Sequence, residues 1–108
     1  MSLLNKYVDV IRQVYGEHVK KVILYGSYAR GDQTEDSDID IMILLDVPEH
    51  EAKPYQRKLF DATFDFNMEK EIDINPIIHN EIIFDKWVDS YPFFGNINRE
   101  GVLLYGAA

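Results

Sequence analysis

Apolar residues recur at two different periods along this chain, and the changes between them mark out its elements. Leu4, Tyr7, Val8, Ile11, Val14 and Tyr15 fall three or four apart, the spacing that gathers side chains on one face of a helix. Ser2 suits the cap before that helix and Gly16 suits its stop. From Val19 to Tyr25 the chain turns apolar and β-branched and is bounded by Gly26, which predicts a strand. A short helical turn is expected over Ser27–Gly31. Asp38 to Leu45 predicts a second strand, closed by Asp46 and Pro48. Helical spacing returns from about Pro54 to Lys70, with Tyr55, Leu59, Ala62, Thr63 and Phe66 on one side. Pro54 would sit well at the first helical position. Ile72 to Ile78 predicts a third strand, and Asn80 to Val88 a helix capped by Asn80. Asn96 to Glu100 predicts a last turn before the short apolar run Val102–Tyr105. Strands in the middle with helices packed on them give an α/β or α+β class.

Two polar stretches interrupt this pattern and carry the candidate chemistry. The first is Gly26-Ser27-Tyr28-Ala29-Arg30-Gly31. A strand that ends in glycine and enters a helical turn presents backbone N–H groups without helical partners, which favour an anion. Gly26 allows close backbone approach, Ser27 can donate its hydroxyl, and Arg30 lies on the same face of the turn and suits a phosphate. Taken alone, a Gly-Ser pair reads as a plain strand-to-helix turn. It is neither a P-loop nor a dinucleotide fingerprint, because the lysine and the glycine spacing are wrong.

The second stretch is Asp38-Ile39-Asp40. Residues two apart on a strand share a face, so Asp38 and Asp40 point one way, and Ile39, Ile41 and Ile43 point to the core. Two adjacent carboxylates suit Mg²⁺, which takes one or two protein carboxylates together with phosphate oxygens. Taken alone, they read as a solvated strand end. Ile72-Asp73-Ile74-Asn75 alternates in the same way. Asp73 would join the pair if the third strand lies beside the second in matching register. Glu71 falls on the same face and is the rival third carboxylate.

Composition narrows the field. The chain has 108 residues, 46% of them apolar, which fits one domain spanning 1–108 with a modest core. No apolar run is long enough to span a bilayer, and no signal-peptide pattern opens the chain, so no membrane role is expected. There are no cysteines, which excludes disulfides and thiolate metal sites and fits a cytoplasmic location. Nineteen acidic residues stand against 11 basic ones, a net charge of −8. Lys20-Lys21 and Arg57-Lys58 are only pairs, so direct nucleic-acid binding is not expected. The acidic balance suits a cation or a basic partner.

Gly26-Ser27, ten residues from Tyr28 to Ser37, then Asp38-Ile39-Asp40 resembles the signature of the polymerase-beta-like nucleotidyltransferase superfamily. The fuller string GSYARGDQTEDSDIDIMI resembles its minimal nucleotidyltransferase branch, which includes antitoxins of HEPN toxins, and the tail NREGVLLYG resembles the usual ending. The resemblance implies a small mixed sheet flanked by helices, with two Mg²⁺ ions and ATP as donor. It implies that Asp38 and Asp40 ligate the metals. Asp73 would bind one metal and help activate an acceptor hydroxyl. Gly26 and Ser27 would hold the triphosphate, with Arg30 as a supporting contact.

At 108 residues, no separate acceptor-binding domain is expected. The expected acceptor is therefore another protein: a tyrosine of a cognate HEPN ribonuclease toxin, in a hetero-oligomer. Two rival readings stand beside this one. One is an antitoxin that blocks its toxin by binding alone, with Tyr91, Phe93 and Phe94, otherwise expected in the core, as contact surface. The other is a homodimer that modifies a small molecule such as an aminoglycoside. His18, His50 and His79 are expected at the surface or in turns, Trp87 and Val88 in packing, and Tyr28 in packing or against a base or partner.

Overall fold

Four strands form one sheet in the order β3-β2-β1-β4. The computed structural model describes residues 2–106. Helix α1 spans Ser2–Tyr15, followed by a single 3₁₀ turn at Gly16–His18 and strand β1 at Val19–Tyr25. A four-residue helical turn, α2, occupies Ser27–Arg30, and β2 runs Ile39–Leu45. The long helix α3 covers Glu49–Lys70 and leads to β3, Ile74–Asn80. Helices α4, Glu81–Trp87, and α5, Pro92–Glu100, precede the edge strand β4, Val102–Gly106. Gly16 ends α1 as its sequence position suggests, at φ 61°. The cap expected of Ser2 falls on a side chain outside the described residues.

The pairing of β2 decides where chemistry can gather. It runs antiparallel to β1, with Tyr25 opposite Asp40, and parallel to β3, with Ile39 opposite Ile74. A parallel pair needs a crossover, which α3 supplies. The end of β1 and the starts of β2 and β3 therefore share one end of the sheet.

Helices cover both faces. On one, Leu24, Ile41 and Ile43 pack with Tyr7 and Ile11 of α1 and Leu59 and Phe66 of α3. On the other, Ile23, Tyr25, Met42 and Leu44 pack with Phe84 of α4 and Ile97 of α5. The Asp38–Asp40 face of β2 is thus polar only at its first residues and apolar beyond them.

Several boundaries depart from the sequence reading. Helix α3 starts at Glu49, so Pro54 lies inside it and not at its first position. Asp38 and Asp73 sit one residue ahead of β2 and β3, and the third strand begins at Ile74 and not at Ile72. Glu71 is no strand residue: it is the left-handed cap of α3, at φ 56°. The last turn is the tail of a full helix, α5.

Candidate active site

Gly26 and Asp40 lie so close that no side chain fits between them. A Cβ built on Gly26 would collide with Asp40 Oδ2, and the backbone there holds φ 76°, a region that favours glycine. The Gly26 carbonyl accepts the N–H groups of Ala29 and Arg30, both at 3.1 Å, and this closes α2. Gly31, at φ 80°, ends it. The N–H groups of Ser27 and Tyr28, first in the turn, have no helical acceptor. Tyr28 packs against the α1–α3 core, which gives it the packing role of its two candidate ones.

Asp40 is half-buried and Asp38 exposed. Burial raises the Asp40 pKa, and the Asp38 charge raises it further. The Asn75 side chain and Arg30 pull the other way. Asn75 owes its place to register, since it stands opposite Asp40 across the parallel pair. The same register set back one residue brings Asp73 beside Asp38, and the Asp73 carbonyl accepts the Ile39 N–H at 2.8 Å. Tyr25, opposite Asp40 on β1, has its phenol pushed up to about 12 by burial and by the Asp40 charge. Arg30 is held by Asp32 at 3.1 Å and by Glu100 at 3.6 Å.

The donor set can be tested against the cation it implies. Asp38 and Asp40 are hard oxygen donors, the Asp38 charge raises the cost of ionising Asp40, and a cation between them removes that cost. Mg²⁺ bound with phosphate oxygens and water needs no more than these two. Among the described residues, no three acidic or imidazole side chains form a ready cation-binding set. The backbone thus brings Asp73 to the pair's end of the sheet, but the three carboxylates do not converge. Glu71, on the cap of α3, is exposed.

Sequence reasoning missed one wall of this site. A cavity of about 200 Å³ beside Gly26 is lined by Tyr25, Arg30, Phe93, Asn96, Ile97 and Glu100, so α5 supplies most of it. Only the helical spacing of Phe93, Ile97 and Glu100 hinted at this. Phe94 packs against the core, whereas Tyr91 and Phe93 stay largely exposed, so the expected core role holds for one of the three. His18 and His50 are surface residues as expected, but His79 is a half-buried residue of β3.

A glycine-serine turn that closes a strand against a carboxylate on its antiparallel neighbour, over a small mixed sheet, is the architecture of the polymerase-beta-like nucleotidyltransferases. The chain belongs to the nucleotidyltransferase domain family, which it matches over residues 4–95, and is a nucleotidyltransferase. It is similar to a proposed protein adenylyltransferase of Methanocaldococcus jannaschii, 36% identical over 106 residues and 94% of each chain. A chain in the crystal structure of the MntA–HpeT toxin–antitoxin pair superposes with TM-score 0.61 at 18% identity, over 95% of this chain and 73% of that one. The complex of tri-AMPylated Shewanella oneidensis HEPN toxin with MNT antitoxin gives 0.57 at 17% identity, over 99% and 74%. These two likenesses establish the shared fold.

Proposed function

We propose that this chain transfers AMP from ATP, with Mg²⁺, to a tyrosine hydroxyl of a cognate HEPN ribonuclease toxin and so neutralises it. The observation that carries the reading is the Gly26 backbone pressed against Asp40 in a chain of the nucleotidyltransferase family. It is supported by the adenylyltransferase relative and by the AMP-bearing toxin in the complex of the same fold. The cytoplasm supplies the ATP, and the working assembly is a hetero-oligomer with the toxin.

In this reading Gly26 and Ser27 hold the triphosphate, through backbone N–H groups and the serine hydroxyl. Arg30 turns from Asp32 and Glu100 toward the phosphates. Asp38 and Asp40 would hold Mg²⁺, with Asp73 as the third carboxylate on the same rim. Bound Mg²⁺ supplies charge neutralisation at the triphosphate and eases ionisation of the acceptor hydroxyl. Asp73 takes the hydroxyl proton. The acceptor oxygen bonds to the α-phosphorus, the bond to the bridging oxygen breaks, and pyrophosphate leaves. Catalysis of this kind is chiefly positioning and charge stabilisation.

Mass spectrometry of the toxin after incubation with the chain, ATP and Mg²⁺ tests the proposal. The toxin should gain one or more adenylyl groups, and Asp38→Ala or Asp40→Ala should abolish the gain. Neutralisation that survives both substitutions would establish a binding antitoxin instead. Transfer to an aminoglycoside without any protein partner would move the acceptor to small molecules.

A further inference from the structure

Three exposed apolar side chains run along the outer face of α3. Phe60, Phe64 and Met68 are four apart, so they stack in one line, and they are 43%, 64% and 67% exposed. The line covers about 12 Å at the helical rise of 1.5 Å per residue. It occupies the half of α3 nearer the carboxylates. Toward the helix start the same line continues as Gln56 and the buried Ala52, with Lys53 and Arg57 heading the next row, and past its end the chain turns through Glu71 and Ile72 to Asp73. The Asn67 side chain ties this end down: its amide donates to the Ile74 carbonyl at 3.1 Å, and its oxygen accepts the Ile74 N–H at 2.9 Å.

One residue on from each apolar position stands an acid: Asp61, Asp65 and Glu69. Asp61 pairs with Arg57 at 3.3 Å and Glu69 with Lys70 at 3.6 Å. Solvent-exposed pairs of this kind hold their partners weakly. Asp65 has no ion-pair partner among the described residues. An apolar stripe with an acidic border matches a helix whose own stripe is bordered by lysine or arginine. A second copy matches less well, because antiparallel pairing would lay one acidic row against the other.

We propose that this face of α3 docks a basic amphipathic helix of the acceptor protein and delivers the adjoining segment to the mouth formed by Asp38, Asp40 and Asp73. Naming the occupant as the acceptor rests on the adenylyl-transfer reading; the chemistry of the face does not.

The probe is a synthetic amphipathic helix with a leucine stripe bordered by lysines. It is titrated into the isotope-labelled full chain without nucleotide or metal and followed by backbone amide shifts. The shifts should centre on residues 57–72. Phe64→Ser with Met68→Ser should weaken binding about tenfold or more, as should a twin peptide with glutamates for lysines. Ile82→Ser, which removes a similarly exposed apolar residue (69%) from α4, should leave affinity within about twofold. Thermal melts check that the variants fold. Shifts centred on α4 or β4, wild-type affinity in the stripe variant, or sedimentation showing self-association through the stripe would overturn the proposal. A chain that docks the peptide yet transfers nothing would refute the reaction and keep the docking face.

Discussion

A methyl group at position 26 would press on the Asp40 carboxylate and force a left-handed backbone on alanine. Gly26→Ala should therefore cost roughly 1–3 kcal/mol of stability, read by chemical denaturation, and nearly all transfer activity. Asp40 itself is held at the expense of the fold. Its pKa is raised above the ordinary 3.8, by burial first and by Asp38 second, so the folded state binds its proton more tightly than the unfolded chain does. Stability falls as pH climbs through that raised range, and the penalty is complete at neutral pH. Without divalent cation, Asp40→Asn should melt no lower than wild type at pH 7, and any advantage should vanish below the ordinary carboxylate value. Added Mg²⁺ should raise the melting temperature of wild type and not of the variant. Asp46 has the opposite sign. The His18 hydrogen bond at 2.8 Å and then Lys20 hold its carboxyl below the ordinary range. Asp46→Asn should lower the melting temperature at pH 7, and the difference should close as acid protonates Asp46 in wild type. The Asp38–Asp40 pair was readable from period two alone. Asn75 beside Asp40 was not, because its place depends on a strand register set elsewhere in the chain.

Helix α3 shows where local pattern stops informing. Pro54 sits well inside it and denies the His50 carbonyl its helical donor. The sequence reading started the helix at Pro54, since proline favours first positions; Glu49, Glu51 and the buried Ala52 extend it the other way. Pro54→Ala should raise stability by about 1–3 kcal/mol, read as a higher denaturant midpoint. The same helix meets α1 through Tyr7 and Thr63, whose hydroxyls bond at 2.7 Å in the core. Thr63→Val should cost about 1–3 kcal/mol by leaving the Tyr7 hydroxyl unpaired, and adding Tyr7→Phe should recover much of that loss. A double-mutant cycle measures the recovery. The start of β3 was misread by two residues for a related reason. Ile72 and Asp73 alternate like a strand, but the Ile72 N–H still bonds back to the Asn67 carbonyl of α3, at 3.1 Å, and the Asn67 side chain meets the strand only at Ile74.

At the scale of the whole molecule, one parallel pairing gathers the candidate site. Because β2 and β3 start at the same end, and β1 finishes there, Gly26, the Asp38–Asp40 pair and Asp73 share one rim although the sequence scatters them over 48 residues. The motif and the helix–strand alternation were legible without the fold. The strand order and the α5 wall were not, since both depend on contacts between distant segments. The central claim is transfer of a nucleotidyl group by this rim, and labelled ATP tests it most directly. The toxin is incubated with the chain, Mg²⁺ and ATP labelled on either the α- or the γ-phosphate. Label from the α-phosphate should remain on the toxin and label from the γ-phosphate should leave as pyrophosphate, both only with Asp38 and Asp40 intact. Retention of the γ-label, or neutralisation with neither label retained, would contradict the account.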